Sequence, residues 1–316
     1  MKQKLFNDFF NKEVKKESEK FTILLGSSFH KVNGNISTLT NWDLLLEKID
    51  KNYKSSGNYL LDFEKIICNE QSVKPASSIE KIHLAEIARS IKDEQNNLSV
   101  DLLKKYPIYI FNPKYVSDLI ILNYDTVAEN ICSKLLSCKL SNLKYVNIDT
   151  KLSKNTKIHQ STKYIEVTFP HQEIIRFWHP HGSIAKPSDM IFSARSYAVH
   201  LGMIERLRDY SKTAERNKKE LNTWYDKLTH QPILILGASI SDAEWDLWSA
   251  FVNRERNFSK GENQKFRKPI YQMRSDEDKV NSTSKTISNH LWFEPLFSEK
   301  KSFHEQWALL AQKFKK

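Results

Sequence analysis

Glycine is scarce in this chain, with seven in 316 residues, and cysteine is scarcer still. Cys68, Cys132 and Cys138 are odd in number and lack paired spacing, which argues against a disulfide framework and against a zinc module built on cysteines. A reducing cytoplasm fits such usage. No apolar run approaches membrane-spanning length, and charges interrupt Met1 to Lys20 every few residues, so neither an anchor nor an export signal is expected. Linkers rich in Pro, Ser or Gly are missing, as are internal repeats. The expectation is one domain over 1–316 with a helical insertion at about 43–105.

What is present is the balance of a folded protein, 40% hydrophobic and 28% charged. The formal charge of +11 could suit a polyanion, but the lysines are spread along the chain and mostly alternate with Glu and Asp. The densest basic stretch, Arg254 to Lys268, could touch phosphates, although a solvated loop accounts for it better. Direct nucleic-acid binding is left open.

Three short runs rich in Ile and Leu have the look of buried parallel strands: Phe21 to Leu25, Leu119 to Leu122 and Pro232 to Leu236. Helical spacing follows the second, in Val127, Ile131 and Leu135, and the third, in Trp245, Trp248 and Val252. Trp42 to Ile49 and Ile79 to Ile91 read as helices inserted between the first two runs. Tyr164 to Phe169 and Ile174 to Trp178 alternate as a strand pair around a His171-Gln172 turn. Ser196 to Leu228 is a charged helical stretch, one helix or two. Leu291 to Phe293 reads as a last strand before a closing helix from Phe303 to Phe314. Strand, turn and helix in alternation define an α/β class with a Rossmann-like, mostly parallel sheet.

Ligands of open α/β sheets bind beyond the carboxyl ends of strands. In the first such turn, Gly26, Ser27 and Ser28 permit close approach of backbone NH groups to a pyrophosphate, or form a plain tight turn. In the second, Asn123 and Asp125 could hold a ribose hydroxyl, a water or an amide; equally, Asp125 could cap the next helix while Asn123 satisfies the turn. A third segment, His179-Pro180-His181-Gly182-Ser183, places two imidazoles at a strand end. An imidazole over a ribose can accept a proton or steer water, and since no third ligand of suitable spacing follows, a base is preferred to a metal ligand. The fourth turn, Gly237 to Asp242, could receive the adenosine half of a nucleotide through Ser239 and backbone NH groups, or cap a helix. Three of the seven glycines, Gly26, Gly182 and Gly237, fall in these segments.

In order, these segments resemble the sirtuin-like NAD-consuming family, particularly the bacterial branch that acts in antiphage defence. The family pattern is a Gly-Ala-Gly-aromatic-Ser turn, a Trp-containing helix start, a Thr-Thr-Asn-Tyr-Asp strand end, a Leu-His-Gly-Ser segment and a Gly-x-Ser-x-Ser-Asp turn. The corresponding stretches are Gly26 to His30, Asn41-Trp42, Asn123-Tyr124-Asp125, His181-Gly182-Ser183 and Gly237 to Asp242. Ser28 and His30 depart from the first turn, and Ile121-Leu122 replaces the paired threonines. The resemblance implies that Asn123 positions the nicotinamide ribose and water, that Asp125 lies near the carboxamide and that His181 is the base. It implies further that Gly26, Ser27, Gly182, Ser183, Gly237 and Ser239 line the substrate.

The function implied is an NAD glycohydrolase, with NAD as substrate and no metal, acting in abortive infection. Lacking the four-cysteine module, the chain fits NAD cleavage better than acyl-lysine chemistry. The pyridinium is already a cationic leaving group, so the protein has chiefly to hold the ribose and stabilise an oxocarbenium-like transition state. Because unregulated NAD loss would harm the cell, activation is expected from a separate protein, such as an ATPase or infection sensor, or from homo-oligomeric assembly. The competing expectation is a non-catalytic module that binds NAD or ADP-ribose and controls a partner.

Overall fold

The computed structural model describes residues 4–5, 19–33, 39, 41–71, 75–146, 162–216, 222–238, 240, 244–259, 261–274, 291, 293–297 and 305. The amino-terminal part runs β1 (Lys4–Leu5), β2 (Phe21–Leu25), a 3₁₀ stretch (Ser27–Asn33), α1 (Trp42–Ile49), α2 (Tyr59–Glu70), α3 (Ala76–Asn96) and α4 (Val100–Leu103). The middle part holds β3 (Val116–Ile121), α5 (Val127–Leu135), β4 (Lys139–Leu140), β5 (Lys144–Tyr145), β6 (Lys163–Thr168) and β7 (Ile174–Trp178). It is followed by α6 (Ala194–Arg216), α7 (Trp224–His230), β8 (Ile233–Leu236), α8 (Trp245–Phe258), β9 (Ile270–Arg274) and β10 (Glu294–Phe297).

The strands form one sheet in the order β1-β10-β9-β8-β2-β3-β7-β6-β4, with β5 also paired to β6. From β1 through β7 every neighbour is parallel, and β6 joins antiparallel. The central strands are apolar along their whole length because both faces are covered. Phe21, Ile23 and Leu25 of β2, Leu119 and Ile121 of β3, and Leu234 and Leu236 of β8 pack into the core beneath α1 to α5. Leu24, Ile120, Ile233 and Ile235 point the other way, into the core beneath α6 to α8. From β2 the chain proceeds through β3 to β7 on one side, then returns to add β8 on the other. That reversal makes the β2/β8 junction the switch point of the sheet, where a crevice opens beyond the strand ends.

Local chemistry explains where the expected boundaries move. β3 begins at Val116, three residues early, because its interior carboxylate is neutralised: the Trp178 indole donates to Asp118 Oδ1 at 2.9 Å and Lys227 lies 3.6 Å from the other oxygen. The charged stretch from Ser196 to Leu228 contains two helices. Thr223 accepts from the Asp226 N–H while Asp226 accepts from the Thr223 N–H, a reciprocal cap that starts α7 anew. The last strand is Glu294–Phe297, not Leu291 to Phe293. Leu291 and Phe293 are spent on the core, Phe293 against Phe251 at 4.9 Å between rings, and the next four residues make the ladder to β9. β9 itself escaped the periodicity because Gln272 interrupts its apolar run; buried, it donates to the Ala238 carbonyl at 3.3 Å. The closing helix expected over 303–314 lies outside the described residues, apart from Glu305.

The basic stretch is a solvated loop only in part: Arg256 and Lys265 are exposed, but its first half is helical and its first arginine is buried. Arg254 sits in α8 with no exposure and donates to the carbonyls of Leu228, Gln231 and Lys268 at 2.6 to 2.8 Å. It fastens the end of α7 and the approach to β9 onto α8. Arg267 pairs with Glu255 and Lys268 with Glu19. Replacing Arg254 with Ala orphans three carbonyls, so chemical denaturation should show a loss on the order of 3 kcal/mol. Gly26→Ala should cost about 1–3 kcal/mol by the same measurement. A Cβ there would lie 2.6 Å from both Ala238 Cα and the Gly237 carbonyl, and neither is a flexible side chain.

Candidate active site

Beyond the carboxyl ends of β2, β3, β7 and β8, four turns are tied to one another in a ring. The first meets the fourth through the Ser28 N–H, which donates to the Gly237 carbonyl at 3.0 Å. Gly26 stands where two backbones nearly touch, and Gly237 takes a positive φ of 66°. The first meets the second through His30, whose Nε2 lies 3.0 Å from Asp125 Oδ2 while Nδ1 lies 3.0 Å from the Tyr106 hydroxyl. The second meets the third where the Ile184 N–H donates to the Tyr124 carbonyl at 2.8 Å. Gly182, at φ 84°, lets the third turn close on the next segment; a Cβ there would lie 2.4 Å from the Asp189 carbonyl oxygen.

The third meets the element after the fourth through His181. Its Nε2 is 2.7 Å from Oδ2 of Asp246, in the first turn of α8. The same oxygen lies 3.2 Å from His200 Nε2, and the Tyr197 hydroxyl donates to Oδ1 at 2.6 Å. His200 and Asp246 have no exposure and Tyr197 is buried. A second imidazole is held in parallel fashion: His179 Nε2 lies 2.7 Å from Glu129 Oε1, and Nδ1 lies 3.3 Å from the Asn123 carbonyl.

Each sequence-derived candidate can now be placed. Asn123, Asp125 and Ser27 border one hollow of about 30 Å³, shared with Asn41 and Trp42. Trp42 stacks on Tyr59 at 4.3 Å between rings and abuts Phe192 and Tyr124, so an aromatic cluster covers that side. The Asp125 carboxylate is committed to His30 and to the Val127 N–H at 3.0 Å. Gly182 and Ser183 border a different, larger cavity of about 750 Å³ lined also by His179, Lys163, Arg195 and Met203. His181 lines neither; its ring is turned onto Asp246. Ser239, with Ser241 and Asp242, lies outside the described residues.

Asp246, His200, Tyr197 and Glu129 were not anticipated. Asp246 meets its partners across 46 to 65 residues of sequence, and in the chain it reads only as an acidic residue in a helix's first turn. The nitrogens of His181 and His200 and an Asp246 oxygen lie within 4.8 Å of one another, the one such group of donors among the described residues. These are atom types a divalent cation accepts, but the group is not completed around the His179–His181 pair: His181 meets His200 of α6 and Asp246 of α8, while His179 is held by Glu129. The 2.7 and 3.2 Å separations are those of hydrogen bonds.

Charge follows geometry. Burial would raise the Asp246 pKa, but His181⁺ and the hydrogen bonds from both imidazoles hold it well below the ordinary 3.8. For His181, burial disfavours the cation, yet the Asp246 carboxylate and its hydrogen bond outweigh that and lift the pKa above 6.5. His179 is raised in the same way, burial being outweighed by Glu129. His200, buried and beside His181, is lowered. A raised histidine stabilises the fold below its unfolded pKa and loses that contribution as pH rises through the folded value; a lowered carboxylate stabilises above its unfolded pKa and loses it on acidification. His200 opposes the first trend, since its protonation favours unfolding below 6.5. With two raised histidines against one lowered, melting temperature should decline as pH rises above 6.5, and fall steeply below 3.8 as Asp246 and Asp125 lose their charge. A melting temperature flat from pH 3 to 9 would contradict the assignment.

A family profile described as a SIR2-like domain matches residues 118–287, just over half of the chain. The matched span runs from β3 through β9, so Asn123, His181, Gly237 and Asp246 fall inside it, while Gly26 and Ser27 precede it. No curated protein matches the chain. Together with a mostly parallel Rossmann-like sheet and no cysteine-based zinc module among the described residues, the match carries the general NAD-dependent activity of the group. The chain belongs to the SIR2-like domain family.

Proposed function

We propose that the protein is an NAD glycohydrolase that cleaves NAD with water to nicotinamide, ADP-ribose and a proton, and that it serves as an abortive-infection effector in antiphage defence. The observation that carries this reading is the ring of four strand-end turns at the switch point, which brings Asn123 and the Asp246-bound His181 to one edge of a SIR2-like sheet. In this reading Asn123 orients the ribose and water, His181 takes the proton, and Gly26, Ser27, Gly182, Ser183, Gly237 and Ser239 line the substrate. Asp125, clamped by His30, lies near the carboxamide as part of the hollow's lining.

Activation by a protein partner such as an ATPase or infection sensor, or by homo-oligomeric assembly, completes the proposal. In its support, the hollow beside Asn123 is only about 30 Å³ and is bordered by Trp42 of the aromatic cluster. A nicotinamide ring enters only if that cluster moves. A partner or neighbouring subunit that favours the moved arrangement would shift the population toward activity.

One observation favours a second reading, a module that binds NAD or ADP-ribose without turnover: the Asp125 carboxylate and His181 are both already engaged within the protein. Nicotinamide release and calorimetric binding, measured on wild type, Asn123→Ala and His181→Ala with and without a candidate partner, separate the two. Hydrolysis requires that either substitution lower turnover by about 10²-fold or more. Binding with no release in any arm establishes the module instead, and full-rate NAD loss by an isolated monomer removes the activation claim.

A further inference from the structure

We infer that Asp246 is the positioning residue for His181: its carboxylate keeps the imidazole proton on Nε2, so that Nδ1 is the atom that accepts a proton during NAD cleavage. This rests on the reading of His181 as the base.

The case is one of proton placement. Asp246 is wholly buried, and its carboxylate accepts from three side chains that reach it from outside its own helix. Tyr197 cannot turn its hydroxyl away. The Asp246 N–H donates to the Tyr197 oxygen at 3.2 Å, which directs the phenol's own proton to Oδ1 at 2.6 Å. His200 is similarly constrained. It lies over Trp224 at 6.2 Å and 17° between planes, and its buried Nδ1 has no hydrogen-bond partner, which places its single proton on Nε2, facing Oδ2. The carboxylate is therefore held in one orientation before His181 is considered. An acceptor so held demands a donor, and the donor is His181 Nε2–H.

The other edge of the His181 ring meets the Leu122 backbone, one residue before Asn123. Nδ1 is thus aimed at the β3 turn, where Asn123 borders the hollow. His179 makes the adjacent contact, Glu129 behind it and the Asn123 carbonyl before it. Two carboxylate-backed imidazoles consequently grip consecutive residues of the β3 turn. His181 becomes a base when its Nδ1 sheds its proton and leaves the Leu122 carbonyl. As the bond between the ribose carbon and nicotinamide breaks with its electron pair going to nicotinamide, water bonds to that carbon and gives a proton to Nδ1. The resulting imidazolium is stabilised by Asp246 and then releases the proton to solvent. A carboxylate behind the base fixes its tautomer and supports the charge that forms, without itself becoming protonated.

The test uses the full-length chain and its Asp246→Asn variant, with Tyr197→Phe as a milder companion. Nicotinamide release, NAD calorimetry, thermal melting and ¹⁵N-histidine NMR are measured on each, with His181→Ala supplying the resonance assignment. Wild-type His181, when neutral, should be the Nε2–H tautomer. In Asp246→Asn the amide can donate to Nε2 and move the ring proton to Nδ1, so kcat should fall by roughly 10²–10⁴-fold while KM stays within about threefold. Tyr197→Phe should keep the tautomer and lower kcat by about tenfold, which preserves the test if Asp246→Asn does not fold. An Nδ1–H tautomer in wild type, an unchanged kcat in folded Asp246→Asn, or a stoichiometric metal ion lost with Asp246 would overturn the inference. If wild type releases no nicotinamide even with its partner, hydrolysis fails as the activity, and the wild-type tautomer still decides whether Asp246 holds the Nε2 proton.

Discussion

A carboxylate with no solvent exposure is the constraint around which the functional edge of this protein is arranged. An isolated buried anion would cost many kcal/mol, so Asp246 persists as an anion only because three donors surround it. The donors come from two elements: His181 from the turn after β7, and Tyr197 and His200, one turn apart, from α6. Satisfying one charge therefore fixes α8, α6 and the turn that follows β7 to one another. The turn that carries His181 is held by that arrangement as well as by its own loop geometry.

Much of the sheet was legible because apolar runs and turn residues are local signals. Phe21–Leu25 stands where the pattern put it, and β6 and β7 pair around the anticipated turn, with Gln172 taking the positive φ of 67° that such a turn needs. At two places where the pattern shifted or missed a strand, a buried polar group was responsible. Asp118 extends β3 and Gln272 conceals β9, since each is a polar residue whose partner comes from another element. The same reason governs the candidate site. Asn123, His181 and the glycines sit at strand ends and can be found by position, whereas Asp246, Glu129 and Arg254 have meaning only through contacts that sequence order does not display.

The scarcity of glycine makes its placement informative. Gly26 and Gly182 are required by neighbouring backbone that leaves no room for a Cβ, so their presence at the strand ends follows from packing before any ligand is considered. The first turn shows the consequence. The Ser28 N–H, which a phosphate-binding turn would offer outward, is given to the Gly237 carbonyl, and His30 replaces a small hydroxyl residue in order to hold Asp125. The departures from the sirtuin-like pattern are thus coupled: Ser28 and His30 serve the contact between turns.

That coupling bears on how such a site would be controlled. Asp125, Glu129 and Asp246 each hold a histidine, and the three pairs join the first turn to the second, the third to α5 and the third to α8. Under the proposed activation, moving the Trp42 cluster to widen the hollow would shift Tyr124, which meets Trp42 edge-on at 5.2 Å between rings and is anchored through its hydroxyl to the Ile191 carbonyl. Tyr124 stands between Asn123 and Asp125, so the displacement reaches the turn gripped by His179 and His181. In the proposed reading, a change at the aromatic cover would reach the proposed base through Tyr124 and the β3 turn. Close packing makes such an arrangement switch between discrete states instead of yielding gradually. If the proposed activator acts at this cover, opening the hollow and freeing His181 Nδ1 from the Leu122 backbone would be one step, with Nε2 still held by Asp246.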